Sequence, residues 1–317
     1  MLNSLQRVVS HKHCPLVASA AAVGTIGLMV KNYDSKPKPA PQLSVMTFNV
    51  LARPYTKYNR DFHRAETKTE SETQTRTRYT LAAEEIASQG TDLVFLQEVE
   101  APFFESAWNH AASKLLDKYS VFACRKMQLN NGMEEESPGT AVLIKKSGAV
   151  TTSVNSPLCI GGTKDTGGPS KVATVVHAQH GDKPLVAVST HFTWDGAAAR
   201  RQHHAQLIGP SLPEGNVILG GDFNSQPGES LSKLEAASFL GSMTRAALPE
   251  GSATGLSGNF SKTEYIDHIY YTSNDLSLLS VKTLRAPASP WSGKVTSPAK
   301  VSGASDHVPV VAEFERR

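Results

Sequence analysis

Residues 219–227 read LGGDFNSQP, the end of an apolar run that begins at Asn216 and closes on Asp222 and Asn224. Read alone, an aspartate and an asparagine after two glycines make a turn. The stretch gains weight from five others with the same layout. They are TFNV (Asn49), FLQEVE (Glu98), VSTHFTW (His191), EYIDHIYY (Asp267, His268) and SGASDHVPV (Asp306, His307). Each is a run of β-forming apolar residues that stops at carboxylate, amide or imidazole side chains. Strands hold such side chains rigidly, and placing them at strand ends gathers them on one rim open to substrate. A histidine on an apolar run or a glutamate after a strand is usually structural; six such endings in one chain point to a hydrolytic site.

The ordered set N…QE…TH…GDFN…IDH…SDH resembles the endonuclease/exonuclease/phosphatase superfamily over residues 43–315. GDFN and the terminal SDHxP carry most of that resemblance; QE and TH add their order. It implies an α/β fold, a four-layer sandwich of two packed mixed β-sheets flanked by helices, and a metal-dependent phosphodiesterase. By the same resemblance Glu98 is the principal magnesium ligand, with Asn49 and Asp306 beside it. Oxygen donors of this kind suit Mg²⁺, with Mn²⁺ as the alternative. Asp222 orients or deprotonates the attacking water, Asn224 holds a phosphate oxygen, and His307 donates to the phosphate while Asp267 fixes its tautomer and charge. His191 matches a second histidine, a general acid for the leaving oxygen. His268 reads as structural.

TFNVLARPYTKYN, an arginine-bearing helix before DLVFLQEVE, and THFTWDG look most like the deadenylase-type branch, so the expected substrate is the 3′ end of single-stranded RNA or a related oligonucleotide. A phospholipid, sphingomyelin or inositol-phosphate phosphoesterase is the alternative. A non-catalytic binding module on the same fold is a second alternative, opposed by the presence of every expected site residue.

Outward from these segments, strands are expected near 119–124, 139–145, 172–178, 185–191, 216–220, 265–271 and 308–314. Helices are expected at 76–89, over PFFESAWNHAASKLLDKY, and at 197–208. Gly90 stands where a helix-ending glycine belongs. Many strands with few helices argue for one α/β domain, and no glycine-rich phosphate loop or internal repeat is present. Between the first strand and the first helix lies a polar insert in which Tyr55, Tyr58 and Phe62 alternate with Arg53, Lys57, Arg60 and Arg64. Lys68, Arg76 and Arg78 add further cations. Cations and aromatic rings so mixed suit a single-stranded nucleic acid, which makes Arg53, Lys57 and Arg60 candidate substrate-binding residues. The tract ETKTESETQTRT at 66–77 reads as a mobile loop.

The chain has 317 residues, 39% hydrophobic and 19% charged, enough for a full core in a soluble domain. Net charge is only +3, so attraction to polyanions must be local. Residues 1–42 form a separate segment ahead of a domain at 43–317. The N-terminus has Arg7 and Lys12, no acid before Asp34, and an uncharged run from Pro15 to Val30, followed by a Pro/Lys-rich linker. That run, about 16 residues, is at the short edge for a membrane span. A basic, acid-free start suits a mitochondrial presequence, with membrane association through residues 15–30; a secretory signal or signal-anchor and a plain tail are the other readings. The three cysteines, Cys14, Cys124 and Cys159, lack a C-x-x-C spacing. They read as idle thiols in a reducing or neutral compartment, without a disulfide scaffold or structural zinc. No obligate protein partner is implied.

Overall fold

The computed structural model describes residues 42–58, 70–130, 133–161, 171–193, 198–212, 214–256, 263–285 and 303–317. The expected leader and anchor at 15–30, Arg60, and the first part of the 66–77 tract lie outside them. No helix among the described residues is long and apolar enough to cross a membrane.

Two mixed sheets carry the fold. The first contains β1 (Gln42–Asn49), β2 (Leu93–Val99), β3 (Tyr119–Asn130), β4 (Met133–Lys145), β14 (Leu276–Thr283) and β15 (Val310–Arg316), in the order β14-β15-β1-β2-β4-β3. The second contains β5 (Val150–Thr151), β6 (Leu158–Gly161), β7 (Val172–His180), β8 (Lys183–His191), β9 (Asn216–Asp222), β10 (Thr244–Arg245) and β13 (Asp267–Tyr271). Its order is β10-β13-β9-β8-β7-β5, with β6 also paired to β7. A short pair, β11 (Gly255–Leu256) and β12 (Thr263–Glu264), stands apart.

The helices are α1 (Glu72–Gln89), α2 (Ala112–Lys118), α3 (Ala198–Ile208) and α4 (Glu229–Ala236). Three apolar layers show where they lie. Val45, Phe95 and Val142 of the first sheet pack against Val176, Ala187 and Ile218 of the second. Phe48, Val94 and Leu96 on the outer face of the first sheet meet Tyr79, Ala82, Ala83 and Ile86 of α1 and Leu115 of α2. Val186, Val188 and Leu219 on the outer face of the second meet Ala205 and Ile208 of α3 and Leu231 and Leu234 of α4. Helix, sheet, sheet, helix is the expected four-layer sandwich. Strands β1, β2, β8 and β9 are buried almost throughout, because each has a layer on both faces.

Local chemistry moves several boundaries. Helix α1 begins four residues before the expected start. Ser71 and Gln74 form a capping box, with Gln74 N–H donating to Ser71 Oγ at 3.3 Å and Ser71 N–H to Gln74 Oε1 at 2.9 Å. Residues 72–77, read as loop for their low complexity, are thus helix; Gly90 ends it at φ +62°. The helix expected over 102–119 is broken. Asn109 Nδ2 donates to Phe103 O at 2.7 Å and Asn109 Oδ1 accepts from Ala111 N–H at 3.0 Å, closing a turn before α2.

The strand expected at 216–220 runs on through Gly221 to Asp222 as β9. A Cβ at Gly220 would sit 2.4 Å from the Phe95 ring, and one at Gly221 would sit 2.1 Å from Thr190 O. The two glycines let the backbone pass where the other sheet and the neighbouring strand leave no room for a side chain.

The cysteine reading is also corrected. Cys124 on β3 and Cys159 on β6 form a disulfide, which joins the two sheets at one edge. Spacing could not reveal it, because the pairing follows from sheet packing. The bond ends a transverse row in each sheet. Registers align Asn49, Gln97, Thr140 and Cys124 in the first, and Ser189, Thr174 and Cys159 in the second. Across the gap Thr140 Oγ1 lies 2.8 Å from Thr174 Oγ1, and Gln97 Nε2 donates to Ser189 Oγ at 3.1 Å.

Candidate active site

The six endings converge on one rim. β1 runs parallel to β2, bringing Asn49 opposite Gln97. β8 runs parallel to β9, with His191 opposite Asp222, and antiparallel β13 sets Asp267 opposite Asp222 as well. Asp222 is therefore flanked on both sides by site residues from neighbouring strands.

Glu98 leaves the regular strand at a bulge, in the left-handed region at φ +56°. That conformation is costly for a non-glycine residue and turns its carboxylate off both sheet faces toward the rim. Leu51 (φ +55°) and Asn224 (φ +48°) share it. Asn49 Nδ2 bridges the acids, 3.1 Å from Glu98 Oε1 and 3.0 Å from Asp222 Oδ2. Glu98 Oε2 also accepts from Ala52 N–H at 3.0 Å. Asn49 Oδ1 meanwhile accepts from Leu51 N–H at 3.0 Å, so Asn49 ties both carboxylates to the backbone of the rim and keeps a second lone pair on that oxygen. Asn224 N–H donates to Asp222 Oδ1 at 2.9 Å, and its Nδ2 donates to Phe192 O at 2.8 Å.

His307 Nδ1 lies 2.8 Å from Asp267 Oδ2, and its Nε2 faces Asp222 Oδ2 at 3.8 Å. Burial alone would lower this histidine, but Asp267, Asp306 and Asp222 override it and hold His307 well above the usual range. His191 is the opposite case. Burial, then Lys171 and His307, push it well below the usual range. Its Nε2 lies 3.3 Å from Asp222 Oδ2, 3.3 Å from Asn224 Nδ2 and 3.2 Å from Lys171 Nζ. Lys171 thus stands beside the histidine expected to act as the general acid. His268 is structural, as expected: its Nε2 is 2.8 Å from Ser225 O and its ring packs on Phe223 and Tyr265.

Glu98, His191 and Asp222 bring ligand atoms within 4.8 Å of one another, and so do Asp222, Asp267 and His307. Burial raises both Glu98 and Asp222. Buried carboxylates in surplus over cations are the environment a hard divalent ion relieves, so the donor set fits one. Asp306 is in neither cluster, but its charge acts on Glu98 and His307. Its Oδ1 accepts from Ser305 Oγ at 3.2 Å, and the same hydroxyl lies 2.7 Å from Asn49 O.

Of the expected nucleic-acid arm, Arg60, Phe62, Arg64 and Lys68 lie outside the described residues. Arg53 stacks over Trp108 at 5.6 Å, Arg76 stacks on the same ring and pairs with Glu72, and Arg78 is fully buried. Lys57 lies on a short 3-10 helix (Arg53–Tyr58). Two participants were missed. Lys171, just ahead of β7, reaches His191 and lies 5.6 Å from the Tyr55 ring centre. Ser305 was read only as a letter of the SDH motif. A lone lysine ahead of a strand carries no signal in sequence.

The family model for the endonuclease/exonuclease/phosphatase family matches residues 46–307. The chain belongs to that family. It is a metal-dependent phosphoric-ester hydrolase. Solved structures share the fold. The human Nocturnin catalytic domain with bound sulfate is 20% identical, covering 87% of this chain and 94% of that one, with a TM-score of 0.60. ANGEL2, a 2′,3′-cyclic phosphatase, is 16% identical, covering 87% and 95%, with a TM-score of 0.61. D. rerio TDP2 complexed with single-strand DNA product is 15% identical, covering 86% and 99%, with a TM-score of 0.58. No curated protein sequence matches the chain.

Proposed function

We propose that this family member is a magnesium-dependent phosphodiesterase that cleaves single-stranded RNA near its 3′ end. The observation that carries the reading is the pairing of the charged Asp267–His307 couple with a cation-and-ring pair, Lys171 and Tyr55, across the same carboxylate cluster. The first serves any phosphodiester. The second adds what a single strand needs beside the scissile group, a positive charge for phosphate and an aromatic face for a base. TDP2, solved with a single-strand DNA product, shares the fold, which supports a single-stranded nucleic acid over a lipid.

Glu98, with Asp306 and Asn49 beside it, would hold the ion, and Asn49 would also fix Asp222 next to it. A divalent ion there supplies positive charge to the phosphate. Asp222, made more basic by burial, takes a proton from the attacking water as its oxygen bonds to phosphorus. His307, kept protonated by Asp267, donates a hydrogen bond to a non-bridging oxygen as charge builds there. As the P–O bond to the leaving oxygen breaks, the ammonium of Lys171, 3.2 Å from His191 Nε2, would give that oxygen its proton, in the role expected of His191. Neutral His191 accepts from Lys171 and holds it in place.

The test is parallel incubation of the protein with 3′-labelled single-stranded RNA, single-stranded DNA and sphingomyelin, with Mg²⁺ and with EDTA. Mg²⁺-dependent shortening of RNA in preference to the others is expected. Preferred release of phosphocholine from sphingomyelin refutes the RNA reading, and EDTA-resistant turnover refutes the metal.

A further inference from the structure

Arg78 on α1 is fully buried. Its Nε and Nη2 hold Glu70 Oε1 and Oε2 at two points, both 2.8 Å. Glu70 is itself buried, accepts from Thr75 Oγ1 at 3.1 Å, and donates its N–H to Thr56 Oγ1 at 3.2 Å. The remaining nitrogen of Arg78, Nη1, donates to two main-chain carbonyls, Val50 O at 2.7 Å and Ala304 O at 3.2 Å.

A buried ion pair is a poor source of stability, since removing two charges from water costs about as much as their attraction returns. An apolar pair of the same volume would fill the space as well. A guanidinium can also bridge two chain segments far apart in sequence, and the segments it bridges here are those of the rim. Val50 follows Asn49, and Ala304 precedes Ser305 and Asp306. Between the two carbonyls runs the bond from Ser305 Oγ to Asn49 O. Just beyond Val50, Leu51 is in its left-handed conformation and Ala52 donates to Glu98.

We infer that Arg78, oriented by Glu70, is a positioning residue that sets the affinity of the rim for its divalent ion. It fixes the spacing between residues 49–52, which cradle Glu98, and residues 304–307, which carry Asp306 and His307. The inference rests on the metal-dependent reading of the site. α1 thereby acts on the chemistry through main-chain carbonyls and never touches substrate.

Two variants test it. Arg78→Lys keeps the charge, but one ammonium cannot grip Glu70 at two points and bridge both carbonyls. The double variant Glu70→Gln/Arg78→Met removes both charges together and strands neither, so it is the one expected to fold; circular dichroism and urea unfolding check that. The readout is Mn²⁺ binding followed by electron paramagnetic resonance without substrate, beside a Mg²⁺ activation curve. Loss of an outer partner of a metal site typically weakens binding 10–100-fold, so the folded double variant should bind Mn²⁺ at least about tenfold more weakly, with kcat at saturating Mg²⁺ within about threefold of the parent. Arg78→Lys should fall between. Parent-like Mn²⁺ binding in the folded double variant overturns the inference. A parent chain that binds no Mn²⁺ overturns the metal reading itself, and this inference with it.

Discussion

Replacing Asp267 with asparagine isolates what the carboxylate does for His307. Asp267 is fully buried and Asn is its isostere, so the site keeps its shape. The amide oxygen can still accept from Nδ1, which preserves the tautomer, but the charge is gone. Asp267 Oδ1 has no hydrogen-bond partner among the described residues, so its negative charge is answered chiefly by His307, and the two are strongly linked. A charge-assisted hydrogen bond is worth about 1.5–3 kcal/mol, which at about 1.4 kcal/mol per decade is roughly ten- to hundredfold in rate. The sign of the pH effect follows from the raised His307. In the parent the ring stays charged above its ordinary value near 6.5, so activity persists into the alkaline range and falls as pH rises through the folded value. In Asp267→Asn burial is less opposed, the alkaline limb moves down, and the loss grows from pH 6 to pH 8. The stabilisation due to this pair is likewise full below the unfolded value and fades as pH passes the folded one. The assay is kcat against pH for both proteins, with His307→Ala and the double variant to close a cycle. A uniform loss at every pH, or additive effects of the two substitutions, refutes the coupling.

Glu98→Gln should leave a folded protein that binds Mn²⁺ at least about tenfold more weakly and has no measurable turnover at low Mg²⁺, since an amide lacks the charge that holds a hard ion; full activity at low Mg²⁺ excludes Glu98 as a ligand. Gly221→Ala should lower the urea midpoint sharply or abolish soluble expression, because its Cβ would meet Thr190 O, and a midpoint equal to the parent would show that β9 shifts freely. Reducing the disulfide should lower unfolding stability by about 4 kcal/mol from chain entropy for a sequence separation of 35 residues. Urea unfolding with and without reductant measures it, and an unchanged midpoint would mean that the sheets need no latch at that edge.

Sequence revealed the fold where hydrophobic period and local chemistry agree. β1, β2, β8 and β9 are apolar runs ending in ligating residues, and both the runs and their order survive in the structure. Gly90 marked the end of α1 for a backbone reason. What escaped depends on contacts across the fold. Arg78 looked like one more cation of a polar insert, and nothing near it in sequence announces that Val50 and Ala304 meet there. Lys171 joins the site only because β7 delivers it beside β8. The expected strand stopped at Gly220, one glycine short of the run, because the crowding that requires both glycines comes from Phe95 and Thr190. The start of α1 was missed because repeated threonines hid the Ser71–Gln74 cap.

The disulfide is asymmetric in a way that bears on how it could be undone. Cys124 is buried, whereas Cys159 is exposed. An incoming thiolate must approach in line with the bond and can reach only the outer sulfur, so exchange would place the mixed disulfide on Cys159. The electrons would then leave on Cys124, as a thiolate inside the protein, where an unsolvated anion is a poor leaving group. Small reductants are thereby held to the slow direction of attack. The link between the sheets should outlast brief reducing conditions even where equilibrium favours the thiols.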